Sequence, residues 1–419
     1  MTEERAKKKK PRSSQHMGKR IGFVVVVILT LAIGPCFLLN TGLLDFQTVD
    51  EQLAAIEAAR AIPDAENAAI IYNQLLENYD ESAFSPDFID QDLDYLTIYE
   101  PWLSKDYPEL AEWLKDRQDI ISTLLRASEK EKCRFPIVTN AQQMGAQMSR
   151  ISAMRRWALL LVRAANNDIA EGRIDAAIQK CNCIIKMGNH LYQQSSTIEL
   201  LDGIAVEALA LRSVKTFILE GDVSENNLKT IEEVIPQTKD NWAEVSPKIM
   251  EFETLFEKKH ADFFYRFKRL WLAFSEEDIF NRTREIYLRQ LMYRRGSRIL
   301  IALRRYRNKT GQWPETLDGI KDLVPEETLI DPINGGSFVY KLTEDNFTLY
   351  SKGQNNIDEA GKYKRSYGET SGGDDWLIWP QLIYKPPPSS TPHPPPPPPP
   401  PPPPQSRPSQ RKEKKADSK

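Results

Sequence analysis

The sequence predicts a mainly α protein: a single N-terminal transmembrane helix, an extracytoplasmic helical bundle, a small C-terminal antiparallel β-module and a disordered proline-rich tail. Three observations predict it. Residues 21–39 form an uncharged apolar run beside a basic block, apolar residues recur at helical steps across 141–219, and residues 394–404 are eleven consecutive prolines. At 419 residues the chain is longer than one core usually serves. The expected segments are a basic cytoplasmic stretch at 1–20, the membrane helix at 21–44, a helical extracytoplasmic domain at 45–310, a β-module at 311–384 and the tail at 385–419.

The apolar run IGFVVVVILTLAIGPCFLL is long enough, at about 1.5 Å per helical residue, to cross roughly 30 Å of hydrocarbon. The twenty residues before it hold eight cations (Arg5, Lys7, Lys8, Lys9, Lys10, Arg12, Lys19 and Arg20) against Glu3 and Glu4. Such a bias retains the N-terminus in the cytoplasm and sends the rest of the chain outward. A cleaved signal peptide has the same charge layout, but this run is long and no small-x-small site closes it. A lipid-attachment reading of Cys36 meets Pro35 where a small residue is wanted, so Cys36 reads as a membrane thiol.

Residues 1–20 carry +6 and residues 385–419 carry +5, so the intervening body carries −14 of the overall −3. An acidic body argues against nucleic acid as a partner, since phosphate binding needs a basic surface. Outside the membrane run lie only Cys133, Cys181 and Cys183, too few for a disulfide scaffold. Cys181 and Cys183, two apart on a helix, point away from each other. A bridge from Cys133 to one of them is the single pairing left open.

Residues 49–60 and 65–79 read as two helices broken at Pro63, with Asp64 placed to cap the second. The Asp, Ser and Pro residues of 82–108 suggest a surface loop carrying Tyr95, Tyr99 and Trp102. Ile151, Met154, Ala158, Leu161 and Ala165 then recur at steps of three and four. Residues 171–173 interrupt the pattern, Ile174, Ala177, Ile178 and Cys181 resume it, and Leu201, Ile204, Ala208, Leu211 and Ile218 extend it. This is an antiparallel hairpin with a third helix. With Ala164, Gly172 and Ala177 at its corner, the hairpin is similar to one tetratricopeptide-like unit. No second copy recurs at a fixed period, so a nonrepetitive bundle is expected.

A helix over 281–308 carries Ile286, Leu291, Ile299, Leu300 and Leu303; from Arg282 to Lys309 it holds ten cations against Glu285 alone. Pairing of these cations with the body's own carboxylates is the preferred reading over docking on anionic lipid or a polyanion. After Gly311 the character changes. Turn residues crowd 331–336, Phe338 and Tyr340 alternate with polar neighbours, 343–346 turns the chain, and 347–351 reads as a partner strand. The eleven prolines form a polyproline II rod of roughly 34 Å, which reads as a spacer.

Residues 306–380 resemble the C-terminal β-module of type II secretion major pseudopilins. The resemblance rests on Gly311 with Pro314 and Leu317, on Asp331-Pro332 with Gly335, on Phe338 and Tyr340, on Tyr350-Ser351-Lys352-Gly353, and on Gly372-Gly373-Asp374-Asp375-Trp376. It implies a Ca2+ ion in the closing loop, with Asp358, Asp374 and Asp375 as carboxylate ligands. The family's acid beside the Ser-x-Gly loop stands here as Asn355 or Asn356, and the 358–374 loop is long. A pilin's Glu, five residues past a Gly-Phe junction, has no counterpart after Gly22-Phe23. The whole chain looks like a bacterial membrane-anchored envelope protein with a helical body.

No catalytic constellation stands out. His190 and His260 are the histidines of the body, without a His-Glu-x-x-His pair, a Gly-x-Ser-x-Gly elbow or a phosphate-binding glycine loop. Glu251, Glu253 and Glu257 share part of a helix face, which reads as solvated rather than catalytic. The expectation is a non-enzymatic binding or scaffold protein of the inner (cytoplasmic) membrane. Its partners would be the lipid bilayer and an envelope protein or anionic envelope polymer, with no cofactor beyond the implied Ca2+. The alternative, implied by the resemblance, is an accessory component of a type II secretion or pilus-like apparatus.

Overall fold

The structure is a computed structural model and describes residues 47–380, apart from 85, 222, 237–238, 261–275, 345 and 363–372. The basic segment, the apolar run and the proline-rich tail lie outside the described residues. Among the described residues no helix is long and apolar enough to cross a membrane. They form a mainly α fold of eleven α-helices with a three-stranded antiparallel sheet at the C-terminal end.

Two short helices come first, α1 (Val49–Ala59) and α2 (Ala68–Glu77). Thr48 and Glu51 close a capping box on α1. The cap of α2 is Asn67, three residues past the Asp64 expected from the sequence, which lies in a 3-10 turn. Asn67 prevails because its side chain also tethers the later chain, accepting from Arg134 N at 2.8 Å and donating to Arg134 O at 3.1 Å.

The expected surface loop at 82–108 is instead structured. It contains α3 (Gln91–Tyr99), N-capped by Asp90, and α4 (Pro108–Lys115), with proline in its first turn. The Asp and Pro that suggested a loop are helix-start residues. Trp102 is buried, its indole N–H donating to Arg163 O at 3.1 Å. Asn166 donates to the carbonyls of Thr97 and Ile98, and Asn167 to that of Trp102. α5 (Gln118–Ser128) follows, burying Ile121, Leu124 and Ala127.

The predicted three-helix stretch is present as α6 (Ala141–Ala170), α7 (Ile174–Tyr192) and α8 (Thr197–Glu220). Trp157 of α6 stacks on Tyr72 at 6.1 Å between ring centroids, and both rings are buried. α7 and α8 cross where Gly188 faces Gly203: a Cβ at either position would lie 2.8 Å from the other's carbonyl oxygen. Small residues here let two backbones touch. Gly188→Ala is expected to lower stability by up to about 2 kcal/mol, because overpacking of about 1–3 kcal/mol is set against the roughly 1 kcal/mol that alanine gains in helix propensity. Denaturant unfolding checks this.

α9 (Glu225–Val234) and α10 (Trp242–Lys259) lead to α11 (Glu276–Thr310), the basic helix. Several of its cations turn inward. Arg294 pairs with Glu207, Arg298 with Glu232, and Arg305 with Glu225 and Glu232. Arg304 donates to the carbonyls of Leu219 and Gly221, closing the C-terminus of α8. The preferred sequence reading of this helix therefore describes these arginines.

Strands β1 (Val339–Leu342), β2 (Phe347–Ser351) and β3 (Trp376–Trp379) stand in the order β1-β2-β3. Val339 pairs with Tyr350, Leu342 with Phe347, and Tyr350 with Leu377. β3 adds a strand to the predicted hairpin. Phe347, Leu349, Ile378 and Trp379 join Met292, Ile299 and Leu303 of α11 in one buried cluster, so the sheet and the helices share a core.

Candidate functional site

The site forms where the loop after β2 meets the approach to β3. Asp331, fully buried, organises the preceding turn: its carboxylate accepts from Ile333 N at 2.9 Å and Asn334 Nδ2 at 2.8 Å. Asn334 Nδ2 also donates to Gly353 O at 3.0 Å, tying that turn to the Ser-x-Gly segment. Gly353 takes a left-handed φ of +63°, and a Cβ there would overlap the backbone carbonyl of Asp374. The two chain segments thus come within reach of each other's carboxylates.

Asp374 Oδ2 accepts from the backbone N–H groups of Gln354 (2.7 Å) and Asn355 (3.1 Å). Asp375, with no exposed surface, accepts from Gly361 N at 2.7 Å through Oδ2. Glu359 Oε1 accepts from Asn355 Nδ2 at 2.7 Å. In each case the second oxygen, Asp374 Oδ1, Asp375 Oδ1 or Glu359 Oε2, is buried and has no hydrogen-bond partner. Ligand oxygens of the three residues lie within 4.8 Å of one another. Burial first, and then the Glu359 carboxyl beside it, raise the Asp375 carboxyl to about 6 against the lowering effect of the Gly361 N–H.

Asp374 and Asp375 are therefore together, and Glu359 stands with them in place of Asp358. The Asp358 carboxylate accepts from the Tyr350 hydroxyl at 2.6 Å and pairs with Lys341 at 3.0 Å; these partners hold its pKa at about 2. Glu359 is the adjacent residue. Asn355 Nδ2, donating to Glu359 Oε1, orients that carboxylate. Gly372 lies outside the described residues.

Three converging carboxylates with three orphaned oxygens fit a hard divalent cation. Ca2+ accepts about six to eight oxygens at roughly 2.3–2.6 Å in flexible loops, whereas Mg2+ demands near-octahedral geometry. Held there, the ion would offset most of the cluster's negative charge and staple the loop to the sheet.

The other sequence candidates have structural partners. His190 is buried and satisfied, its Nδ1 bonded to the Tyr72 hydroxyl at 2.9 Å and its Nε2 to Lys130 O at 2.8 Å. Burial lowers it to about 4, so the ring is neutral at pH 7. His260 bonds Thr139 O at 2.9 Å. Glu253 accepts from Thr197 N at 2.8 Å while Glu251 is exposed. Cys133, Cys181 and Cys183 are free, buried thiols, so the pairing left open by the sequence does not form. Burial raises Cys181 and Cys183 to about 12, which leaves them protonated and unreactive.

No protein-family model matches the chain, and neither a curated protein nor a solved structure is similar to it.

Proposed function

We propose that this chain is a membrane-anchored extracytoplasmic scaffold of the cell envelope, with its N-terminus in the cytoplasm and its helical body positioned to hold a partner. The observation that carries this reading is the uncharged run at 21–39 beside eight cations. Because several cations of α11 are engaged with the body's own carboxylates and carbonyls, contact with an anionic envelope polymer falls to the basic tail at 385–419. A periplasmic-active reporter fused after Pro380 is expected to be active in cells. Activity of a cytosolic reporter alone at that position would overturn the topology and the partners with it.

Within this reading Ca2+, bound by Glu359, Asp374 and Asp375, rigidifies the β-module. At free Ca2+ about a hundred times its dissociation constant, the unfolding free energy is expected to rise by about 2.7 kcal/mol. Asp375→Asn removes that increment. A thermal unfolding midpoint that does not move with Ca2+ in the unsubstituted chain rejects the site.

A further inference from the structure

Four well-shielded cations in the helical body are paired with carboxylates: Arg150 with Glu199, Arg163 with Asp94, Lys180 with Asp168 and Arg294 with Glu207. Lys215 of α8 differs. It is only 6% exposed, and among the described residues no carboxylate lies within ion-pair distance of its Nζ. The amine sits 4.6 Å from the ring centroid of Tyr293 on α11. Both residues line a cavity of about 230 Å3, whose remaining walls include Leu211 and Arg212 of α8 and Leu377 and Ile378 of β3.

We propose that this cavity binds a small organic carboxylate, whose carboxylate group pairs with Lys215 and whose hydrocarbon part lies against Leu211, Leu377 and Ile378. An amine buried without a counter-ion supplies the recognition, since an anion restores the pairing that burial alone denies it. Arg212, whose guanidinium stacks on Tyr99 at 4.1 Å, places a second positive charge at the same wall. The apolar walls select against inorganic anions, which would lose hydration there without replacement. At about 30 Å3 of liquid volume per water, the cavity displaces roughly seven or eight waters, room for a carboxylate of about four to eight carbons.

Burial first, and then Arg212, lower the Lys215 amine to about 7. The groups facing it are Arg212 on its own helix and Tyr293 from α11, while β3 presents Leu377 and Ile378. Carboxylate binding favours the ammonium form, so at pH 8 it draws a proton from the buffer.

The test is calorimetric titration of the full chain in detergent with hexanoate, acetate and inorganic phosphate, in two buffers of different ionisation enthalpy. Saturable binding of hexanoate with proton uptake at pH 8, at least tenfold weaker in Lys215→Met and retained in Lys215→Arg, supports the site. Absent hexanoate binding, or equal binding by Lys215→Met, overturns it, as does phosphate binding more tightly than hexanoate. Should Lys215→Met fail to fold, amine acylation of the unsubstituted chain gives the answer by mass spectrometry. Saturating hexanoate must slow labelling of Lys215 at least tenfold relative to exposed Lys115, and unchanged labelling overturns the proposal.

Discussion

Glu207→Ala is expected to lower the unfolding free energy by about 3–5 kcal/mol, among the largest effects of any single substitution in this chain. The Glu207 side chain has no exposed surface and Arg294 is 11% exposed. The guanidinium meets both carboxylate oxygens, at 2.7 and 2.6 Å, and the Tyr192 hydroxyl donates to Oε2 at 2.6 Å. One carboxylate thus joins α7, α8 and α11. Its removal leaves a guanidinium and a phenol buried without their acceptor, and the desolvation of Arg294 is no longer offset. The double substitution Glu207→Leu with Arg294→Met removes both charges, so it is expected to recover most of the loss. Urea unfolding of the wild type, Glu207→Leu, Arg294→Met and the double substitution, followed by circular dichroism, measures the coupling. A loss below 1 kcal/mol for Glu207→Ala would show that water reaches the pair.

The same contact explains why α11 was only partly legible as sequence. Ten cations on one helix read as a face paired with the body's own carboxylates, but do not say which ones, because the carboxylates that meet them lie 66 to 87 residues upstream in Glu232, Glu225 and Glu207. Periodicity reports which side of a helix is apolar, but not which buried polar residue has a distant counter-charge. Where apolar residues alone decide, as in α6, α7 and α8, the steps of three and four were sufficient. The 82–108 stretch failed for a different reason. Asp90 and Pro108 resemble loop residues in composition, yet each starts a helix, and the docking of that segment depends on Asn166 and Asn167 sixty-five or more residues later.

The candidate metal site was legible in its carboxylate composition but not in its ligand set. Asp374 and Asp375 are adjacent to a strand whose partner, β2, is fixed by register. Which acid of the Asp358-Glu359 pair joins them depends on Lys341 and Tyr350, whose side chains capture Asp358 from β1 and β2. β3 itself was hidden: Trp376–Trp379 is four residues long with no polar alternation, and it becomes a strand through pairing with Leu349, Tyr350 and Ser351.

Lys215→Met is expected to stabilise the carboxylate-free protein at pH 7 and below, and to lose that advantage as the pH rises. In the folded state the Lys215 amine titrates at about 7, against an ordinary value of 10.5. Between these values the unfolded chain holds more protons, so wild-type stability rises with pH across that window. Below about pH 7 both states are charged and the burial penalty is fully present. At about 1.36 kcal/mol per pK unit, the gain from methionine is about 3–5 kcal/mol at pH 7, shrinking toward zero near pH 10.5. Methionine keeps the length and the apolar contacts of the side chain, so the change isolates the amine. Denaturant unfolding at pH 7 and pH 10 in buffers free of organic acids is the measurement. An equal stability difference at both values would mean that Lys215 stays charged in the fold and that its cavity is filled with water.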